Sequence, residues 1–370
     1  MAENSAIEWT DHTWTPVVGC DAISPACANC YAALMAARLE SMGQEKYAGL
    51  ATRNGNVGKW TGKVTFWEPD LVKPLTVRKP SRWFLTSMGD VGHDKLTDEQ
   101  VAELFGVMAV AGAEGPFHRE QDGVRLGTPI AWSDGTSSPS KWPNHSSGPH
   151  TFMVLSKRSA RIAALLGSLR FRKLVSDSAY RWAHNRVCAG GIADHIYPPW
   201  SNFRGEPSSC WPMANVFIGC TAENQERADE LRPHMASIAA AGWKTFVSYE
   251  PALGPVDWTG WEFLQQLISG GESGHRARPS HPDWFRSARD FAEALGIAYL
   301  HKQNGEWLQC ETEASTDFRG RAIYIDDGYG VELPERGLRV IQAHGAEFVH
   351  VGKKAAGRLL DGVEHNGFPA

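Results

Sequence analysis

The sequence contains no apolar run long enough to cross a lipid bilayer. Its longest apolar stretch with helical periodicity, residues 101–113, is interrupted by Glu103 and is shorter than the roughly 20 residues that a membrane-spanning helix needs. The chain also starts without the basic segment and apolar core of a secretory signal peptide. We therefore expect a soluble, cytoplasmic protein with no membrane partner, whose cysteines stay reduced.

The chain also lacks an excess of basic residues. It has 37 Lys and Arg against 42 Asp and Glu, which gives a formal net charge of −5. A protein that coats nucleic acid by bulk electrostatics usually has a clearly basic face, so the composition argues against that class while allowing a local basic groove. The 370 residues suffice for one large α/β domain or for two ordinary domains.

Cysteine is scarce, yet three of the seven cysteines fall in one short run: Cys20, Cys27 and Cys30. The residues between them are small or turn-forming, which predicts a loop and not a core segment. Three thiolates without a fourth Cys or His nearby leave one coordination position of a metal or iron–sulfur site open. We interpret the run as such a site. Packing as small hydrophobic side chains and disulfide formation are the alternatives.

Short apolar and β-branched runs alternate with helical patterns between Lys63 and about Lys302, which is typical of βα units around a parallel sheet. The pattern predicts strands at 64–67, 83–87, 152–156, 216–220, 245–249, 267–270 and 297–301. It predicts helices at 31–41, 98–113, 159–166, 173–182, 224–240 and 282–295. We predict an α/β fold, a full or partial (β/α) barrel of about six to seven βα units.

Two segments rich in Gly, Ser, Pro and His interrupt this alternation, at about 114–150 and 185–212. We predict a barrel domain over residues 1–310 that carries these segments as inserted loops. Residues 311–370 are predicted to form a C-terminal extension that packs on the barrel. Cys188 and Cys210 lie in the second insertion, and whether they bind a second metal stays open.

Polar or ligand-binding residues follow or end most of the predicted strands. The carboxyl ends of parallel strands meet at one edge of a sheet, so these residues predict a ligand site there. The candidates are Ser87, Asp90, Lys157, Arg158, Cys220, Ser248, Glu250, Gly270, Gly271, Glu272 and Lys302. Helix capping or core packing is the alternative explanation for each of them taken singly.

A cysteine run followed by a βα barrel resembles the radical S-adenosylmethionine (SAM) superfamily, although six residues separate Cys20 from Cys27 here, instead of that superfamily's usual three. Several segments look more closely like an uncharacterised phage-associated family with a three-cysteine motif, usually regarded as radical-SAM-like. These segments are residues 5–10, 14–32, 246–255, 270–274 and 351–358.

This resemblance implies a [4Fe–4S] cluster held by Cys20, Cys27 and Cys30, with SAM bound at the open iron. It implies that Ser87 and Asp90 meet the SAM amino group, that Lys157 or Arg158 pairs with its carboxylate, and that Gly270 and Gly271 approach the adenine. Ser248, Glu250, Glu272 and Lys302 would face ribose or substrate. The candidate catalytic residues are Glu250, Glu272, Lys302 and Cys220, the last as either a hydrogen-atom donor or a spectator.

The expected function is that of a radical SAM-type enzyme. It would generate a 5′-deoxyadenosyl radical to modify or repair a nucleobase or nucleic acid, with an external electron donor, in the cytoplasm of a phage-infected or prophage-carrying bacterium. Two alternatives stay open. One is a zinc-stapled nucleic-acid-binding phage protein without radical chemistry. The other is a hydrolase built on the carboxylates Asp90, Glu250 and Glu272.

Overall fold

The computed structural model describes residues 5, 7–77, 79–111, 120–121, 124–125, 150–188, 211–310, 323–324, 330–331 and 339–369. For 120–121, 124–125, 183–188, 323–324 and 330–331 it describes the backbone alone. The predicted inserted loops at 114–150 and 185–212 lie for the most part outside the described residues. Cys210 and the side chain of Cys188 do as well.

The described residues form strands, α-helices and three short 3-10 helices. The strands are β1 (His12–Trp14), β2 (Val17–Val18), β3 (Ala51–Asn54), β4 (Val57–Trp60), β5 (Thr65–Phe66), β6 (Arg82–Leu85), β7 (Glu120–Gln121), β8 (Val124–Arg125), β9 (Thr151–Leu155), β10 (Val216–Thr221), β11 (Lys244–Tyr249), β12 (Gln266–Gly270), β13 (Ala298–Gln303), β14 (Trp307–Cys310), β15 (Ile323–Tyr324), β16 (Gly330–Val331), β17 (Val340–Ala343) and β18 (Ala346–His350).

The α-helices are α1 (Tyr31–Ser41), α2 (Lys73–Thr76), α3 (Asp98–Ala111), α4 (Ser159–Leu166), α5 (Leu169–Cys188), α6 (Gln225–Ala240), α7 (Pro282–Leu295) and α8 (Lys353–Ala356). The 3-10 helices are Pro25–Asn29, Glu45–Tyr47 and Glu68–Asp70. Within the described ranges, no helix combines the length and the apolar composition that crossing a membrane requires.

Seven strands form one parallel sheet in the order β1, β6, β9, β10, β11, β12 and β13. The predicted mixed α/β class with a parallel sheet is therefore confirmed. Among the described strands, β1 and β13 are the two edges, so the order is that of an open sheet and not of a closed ring. The barrel prediction holds in this partial form. The radical-SAM likeness of the fold stays a prediction.

The prediction that the sheet starts at 64–67 was wrong. That apolar segment forms β5, which pairs antiparallel with β2 in a separate two-stranded sheet. The first strand of the main sheet is β1, which pairs in parallel with β6. A strand of three residues is too short to show the alternation of apolar and polar side chains from which strands are recognised. Its place therefore depends on its partner.

The remaining predictions agree well with the structure. The six other predicted strands overlap β6 and β9 to β13, and the helices predicted at 31–41, 159–166 and 282–295 match α1, α4 and α7 at both bounds. The helix predicted at 173–182 is longer, since α5 runs from Leu169 to Cys188. The predicted helix at 98–113 ends at Ala111 within the described residues.

The chain divides into two compact units. The first comprises Met1–Cys20, Val64–Ile218 and Ala240–Trp243, and the second comprises Asp21–Lys63, Gly219–Ala239 and Lys244–Ala370. Large aromatic side chains fill the core of each unit. Trp14, Trp83 and Phe152 are fully buried in the first, and Phe246, Tyr249 and Trp261 in the second. The predicted division at residue 310 stays a prediction.

In the first unit, α3 and α5 approach each other closely at Gly106. A Cβ at this position would lie 2.3 Å from the Ser178 hydroxyl oxygen and 2.7 Å from its Cβ. That hydroxyl donates to Glu103 on α3, and the Trp182 indole N–H donates to the same carboxylate oxygen at 2.8 Å. The glycine therefore sets the distance at which this hydrogen-bonded contact can form.

We expect Gly106→Ala to lower the free energy of unfolding by about 1–3 kcal/mol, because the added methyl group overpacks the helix contact. Gly167→Ala is the matched control. Gly167 has φ −80° and its nearest neighbour to a new Cβ is at 3.4 Å, so its effect should stay within about 0.5 kcal/mol. Urea unfolding of both variants measures the difference. A neutral Gly106→Ala would contradict the close packing of α3 on α5.

Candidate functional site

A close backbone contact positions Cys20 in the first unit. Cys20 follows β2 and Gly19, whose N–H donates to the Met88 carbonyl at 2.9 Å and which forms a parallel bridge with Gly89. A Cβ on Gly89 would lie only 2.7 Å from the Val17 carbonyl oxygen. Glycine at position 89 therefore allows the strand that leads to Cys20 to lie against the segment after β6.

Asp90 organises the residues that follow β6 and β9. Its Oδ1 accepts from the Ser156 hydroxyl at 2.6 Å and the Gly92 N–H at 2.8 Å. Its Oδ2 accepts from the Lys157 N–H at 3.2 Å and from Arg158 Nη1 at 2.9 Å. The residue is 5% exposed, and four donors satisfy its buried carboxylate. The sequence predicted Asp90 and Arg158 as site residues, and the structure brings them together.

Arg158 also reaches the first cysteine of the run. Its Nη1 lies 3.8 Å from Cys20 Sγ. Burial lowers the pKa of the Arg158 guanidinium, but its electrostatic interactions and hydrogen bonds with Asp90 and Cys20 outweigh this effect, so the pKa is raised. Arg158 therefore places a permanent positive charge beside the sulfur of the first predicted ligand.

Cys27 and Cys30 belong to the second unit, on the 3-10 helix Pro25–Asn29 and at its end. The Ser24 hydroxyl oxygen lies 3.5 Å from Cys27 Sγ. Cys30 is the N-cap residue of α1, and its side chain makes no capping hydrogen bond. The N-terminus of a helix is a favourable place for a negatively charged group.

Glu272 holds in place residues 25–30, the segment that carries Cys27 and Cys30 and is called the cysteine loop below. It is 5% exposed, and its Oε2 accepts from Asn29 Nδ2 at 3.1 Å and from the backbone N–H and Nε of Arg278 at 2.8 Å each. Arg278 Nη1 donates to the Pro25 carbonyl at 3.2 Å. Asn29 Nδ2 also donates to the Arg276 carbonyl at 2.9 Å. The backbone that carries Cys27 and Cys30 is thus tied to the loop after β12.

Glu250 and Lys302 form an ion pair in the second unit, after β11 and within β13. Gly270 lies beside this pair, since a Cβ there would be 3.4 Å from Glu250 Cγ. A Cβ on Gly271 would lie 2.2 Å from the Asn304 carbonyl oxygen. The group that lies against Gly271 is therefore the protein's own backbone at Asn304. The predicted role of the two glycines toward adenine stays a prediction.

The cysteine run supplies thiols, a type of side chain that is suited to bind a metal centre. Cys20, Cys27 and Cys30 are half-buried thiols outside any disulfide. Across the described ranges, however, no three His, Cys, Asp or Glu side chains form a group able to hold a metal ion. The donor set therefore fits an iron–sulfur or zinc centre by its chemistry, while the structure does not show a preformed centre.

A model of a protein family of unknown function, DUF5131, matches residues 4–114 and 144–369. The chain belongs to the DUF5131 family. No curated protein and no solved structure matches it. The expectation of an uncharacterised family is confirmed, whereas phage association and a relationship to radical SAM enzymes stay predictions.

Other predicted site residues of this DUF5131 chain lie in or beside the sheet strands. Cys220 is fully buried in β10, and Ser248 is buried in β11, where its carbonyl accepts from the Ala222 N–H. Ser87 is half-buried and follows β6, and Lys157 is half-buried and follows β9. The cofactor and catalytic roles of these residues stay predictions.

The sequence did not predict that Glu223 and Asn29 make the hydrogen bonds that hold the cysteine loop in place. Glu223 is 0% exposed, and its Oε1 accepts from the Ala26 N–H at 3.3 Å. The available signal was a carboxylate two residues after the end of the buried strand β10. Its partner lies 197 residues away in the chain, so local pattern could not reveal the contact.

A buried hydrogen-bond chain supports the end of β13 next to Lys302. His301 Nδ1 lies 2.9 Å from the Ser269 hydroxyl, which is 2.7 Å from the Tyr299 hydroxyl. His301 Nε2 lies 3.0 Å from Asn304 Oδ1. Burial lowers the pKa of His301 to about 4. The imidazole therefore stays neutral in the folded DUF5131 chain near pH 7.

We expect Glu272→Gln to loosen the cysteine loop, because an amide brings an N–H group toward the donors of Arg278 and Asn29. The unfolding free energy should fall by about 1–3 kcal/mol, and alkylation of Cys27 and Cys30 by iodoacetamide should become faster. Peptide mass spectrometry measures the alkylation rate. Glu262→Gln, at an exposed position of the same unit, is the control. Unchanged rates in Glu272→Gln would show that Glu272 does not hold the loop.

The His301 pKa leads to a dependence of stability on pH. The unfolded state protonates near pH 6.5 and the folded state only near pH 4, so stability contributed by the neutral imidazole is lost as pH falls between these values. The loss should reach about 2 kcal/mol by pH 5. His301→Gln should remove this component in urea unfolding at pH 7.5 and 5. His275→Gln, whose side chain is exposed, should keep it. Equal pH dependence in the wild type and His301→Gln would contradict this assignment.

Proposed function

We propose that the protein is a radical SAM-type enzyme that holds a [4Fe–4S] cluster through Cys20, Cys27 and Cys30 and acts on a nucleobase or nucleic acid with an external electron donor. One observation carries the proposal. Three reduced, half-buried thiols sit in one short run, and buried carboxylates hold the backbone around two of them. Accessible sulfur on a fixed loop suits metal ligation better than core packing.

The bound cluster would supply the electron that cleaves a carbon–sulfur bond of SAM, giving methionine and a 5′-deoxyadenosyl radical that abstracts a hydrogen atom. Residues of the chain would bind and orient SAM for this reaction. Arg158 is the cation suited to the SAM carboxylate, because a guanidinium matches a carboxylate in two-point geometry. Asp90 holds Arg158 in place through its Nη1 contact. Arg158 therefore acts at two points, as a SAM ligand and as the charge beside Cys20.

In the second unit, Glu250 and Lys302 would face the ribose or the substrate. Their ion pair keeps the ammonium and the carboxylate in a fixed relation where β11 and β13 carry them. An ion pair of this kind can orient hydroxyl groups by donating at one end and accepting at the other. Glu272 accepts a hydrogen bond from Asn29 and so holds the loop that carries Cys27 and Cys30, which makes it a positioning residue.

A structural zinc is the second candidate, since a set of cysteine thiolates is also the donor set of zinc sites. The hydrolase alternative has less support. Each of its three carboxylates is paired with a cation, in the pairs Asp90–Arg158, Glu250–Lys302 and Glu272–Arg278. These ion pairs already occupy carboxylate oxygens that a hydrolase would need for contact with a water molecule or a substrate.

The test is anaerobic reconstitution with iron and sulfide, followed by EPR of the dithionite-reduced protein with and without SAM. We expect a [4Fe–4S] signal that changes when SAM is added and that is absent from the Cys20/Cys27/Cys30→Ala variant. Cys310→Ala, which removes a buried thiol outside the run, should keep the signal. A colourless protein with stoichiometric zinc would overturn the radical proposal in favour of the zinc candidate.

A further inference from the structure

A cavity of about 600 Å³ opens in the second unit beside the loop after β12. Its polar lining consists of the guanidinium groups of Arg276, Arg278 and Arg339, the imidazole of His275 and the amide of Asn56. Among the described residues no Asp or Glu lines it. A chain with net charge −5 therefore concentrates cations at one concave place, and such a place attracts anions.

Two of the three guanidinium groups are available to a ligand. In the part of the chain that the structure describes, Arg276 and Arg339 form no ion pair with a carboxylate, and both residues are exposed. Arg339 lies over the ring of Trp307 at 5.1 Å from its centroid. Trp307 is buried, and its indole N–H donates to the Ala277 carbonyl at 2.7 Å. The buried ring of Trp307 thus supports the Arg339 guanidinium from one side.

We propose that this cavity binds the phosphate group of a nucleotide or of a single-stranded nucleic acid. Guanidinium groups bind phosphate oxygens through two parallel hydrogen bonds, and two such groups on one cavity suit a phosphate ester better than a lone carboxylate. The volume lies within the range of small-ligand sites and has room for a nucleotide. The apolar side chains of Val57 and Ile341 in the lining can contact a sugar or base.

The cavity wall is also part of the cysteine loop's support. Arg278 lines the cavity and donates to the Pro25 carbonyl, and the Arg276 carbonyl accepts from Asn29. A phosphate bound here would lie next to the segment that carries Cys27 and Cys30. The inference that the bound nucleotide is the substrate rests on the proposed function. The phosphate site itself does not depend on it.

The test measures binding of a fluorescein-labelled single-stranded oligonucleotide about 12 nucleotides long by fluorescence anisotropy, on the reconstituted protein. AMP and inorganic phosphate are the competitors. Arg276→Gln and Arg339→Gln should each weaken binding about tenfold and reduce the slope of log K against log salt concentration by about 0.7. Arg38→Gln removes the same charge from an exposed position on α1 outside the cavity, and its affinity should stay within about twofold.

Tighter binding of the oligonucleotide than of AMP would identify a nucleic acid strand as the ligand, and equal binding would identify a mononucleotide. The proposal is overturned if none of the three probes binds. It is also overturned if Arg38→Gln weakens binding as much as the cavity variants do. EPR on the same preparation separates the two proposals, because phosphate binding that depends on Arg276 with no SAM-responsive cluster signal would sink the radical function alone.

Discussion

Within each unit, buried carboxylates placed just after the strands fix the loops that carry candidate site residues. A charge that leaves water is costly unless the chain supplies donors, so each of these side chains draws distant backbone toward it. Asp90 collects donors from the residues after β6 and β9 in the first unit. In the second unit, Glu223 and Glu272 do the same for the cysteine loop. The loops supply the donors that these buried carboxylates require, and the resulting hydrogen bonds fix the position of the loops.

The same contacts connect the cysteine loop to the basic cavity. Arg278 neutralises Glu272, donates to Pro25 and lines the cavity. One side chain therefore takes part in loop support and in the proposed ligand site.

The strong periodic elements were predictable and the short ones were not. The helices α1, α4 and α7 were predicted at both bounds because apolar spacing and flanking turn residues marked them. The main-sheet strand β1 was missed, and 64–67 was assigned in its place, because a three-residue strand has no pattern of its own. In the site, Asp90, Glu250 and Glu272 were predicted from their positions after strands. Their partners Arg158, Lys302 and Arg278 were not assigned to them.

The amino-acid sequence by itself determined the α/β class, the positions of most helices and main-sheet strands, and the cysteine run, since these depend on local periodicity and on residue type. Only the tertiary structure decided which side chains meet. The contact between Glu223 and Ala26 spans 197 residues, and that between Glu272 and Asn29 spans 243. Burial of charge makes such contacts necessary, but their partners follow from strand order and register, which local sequence does not encode.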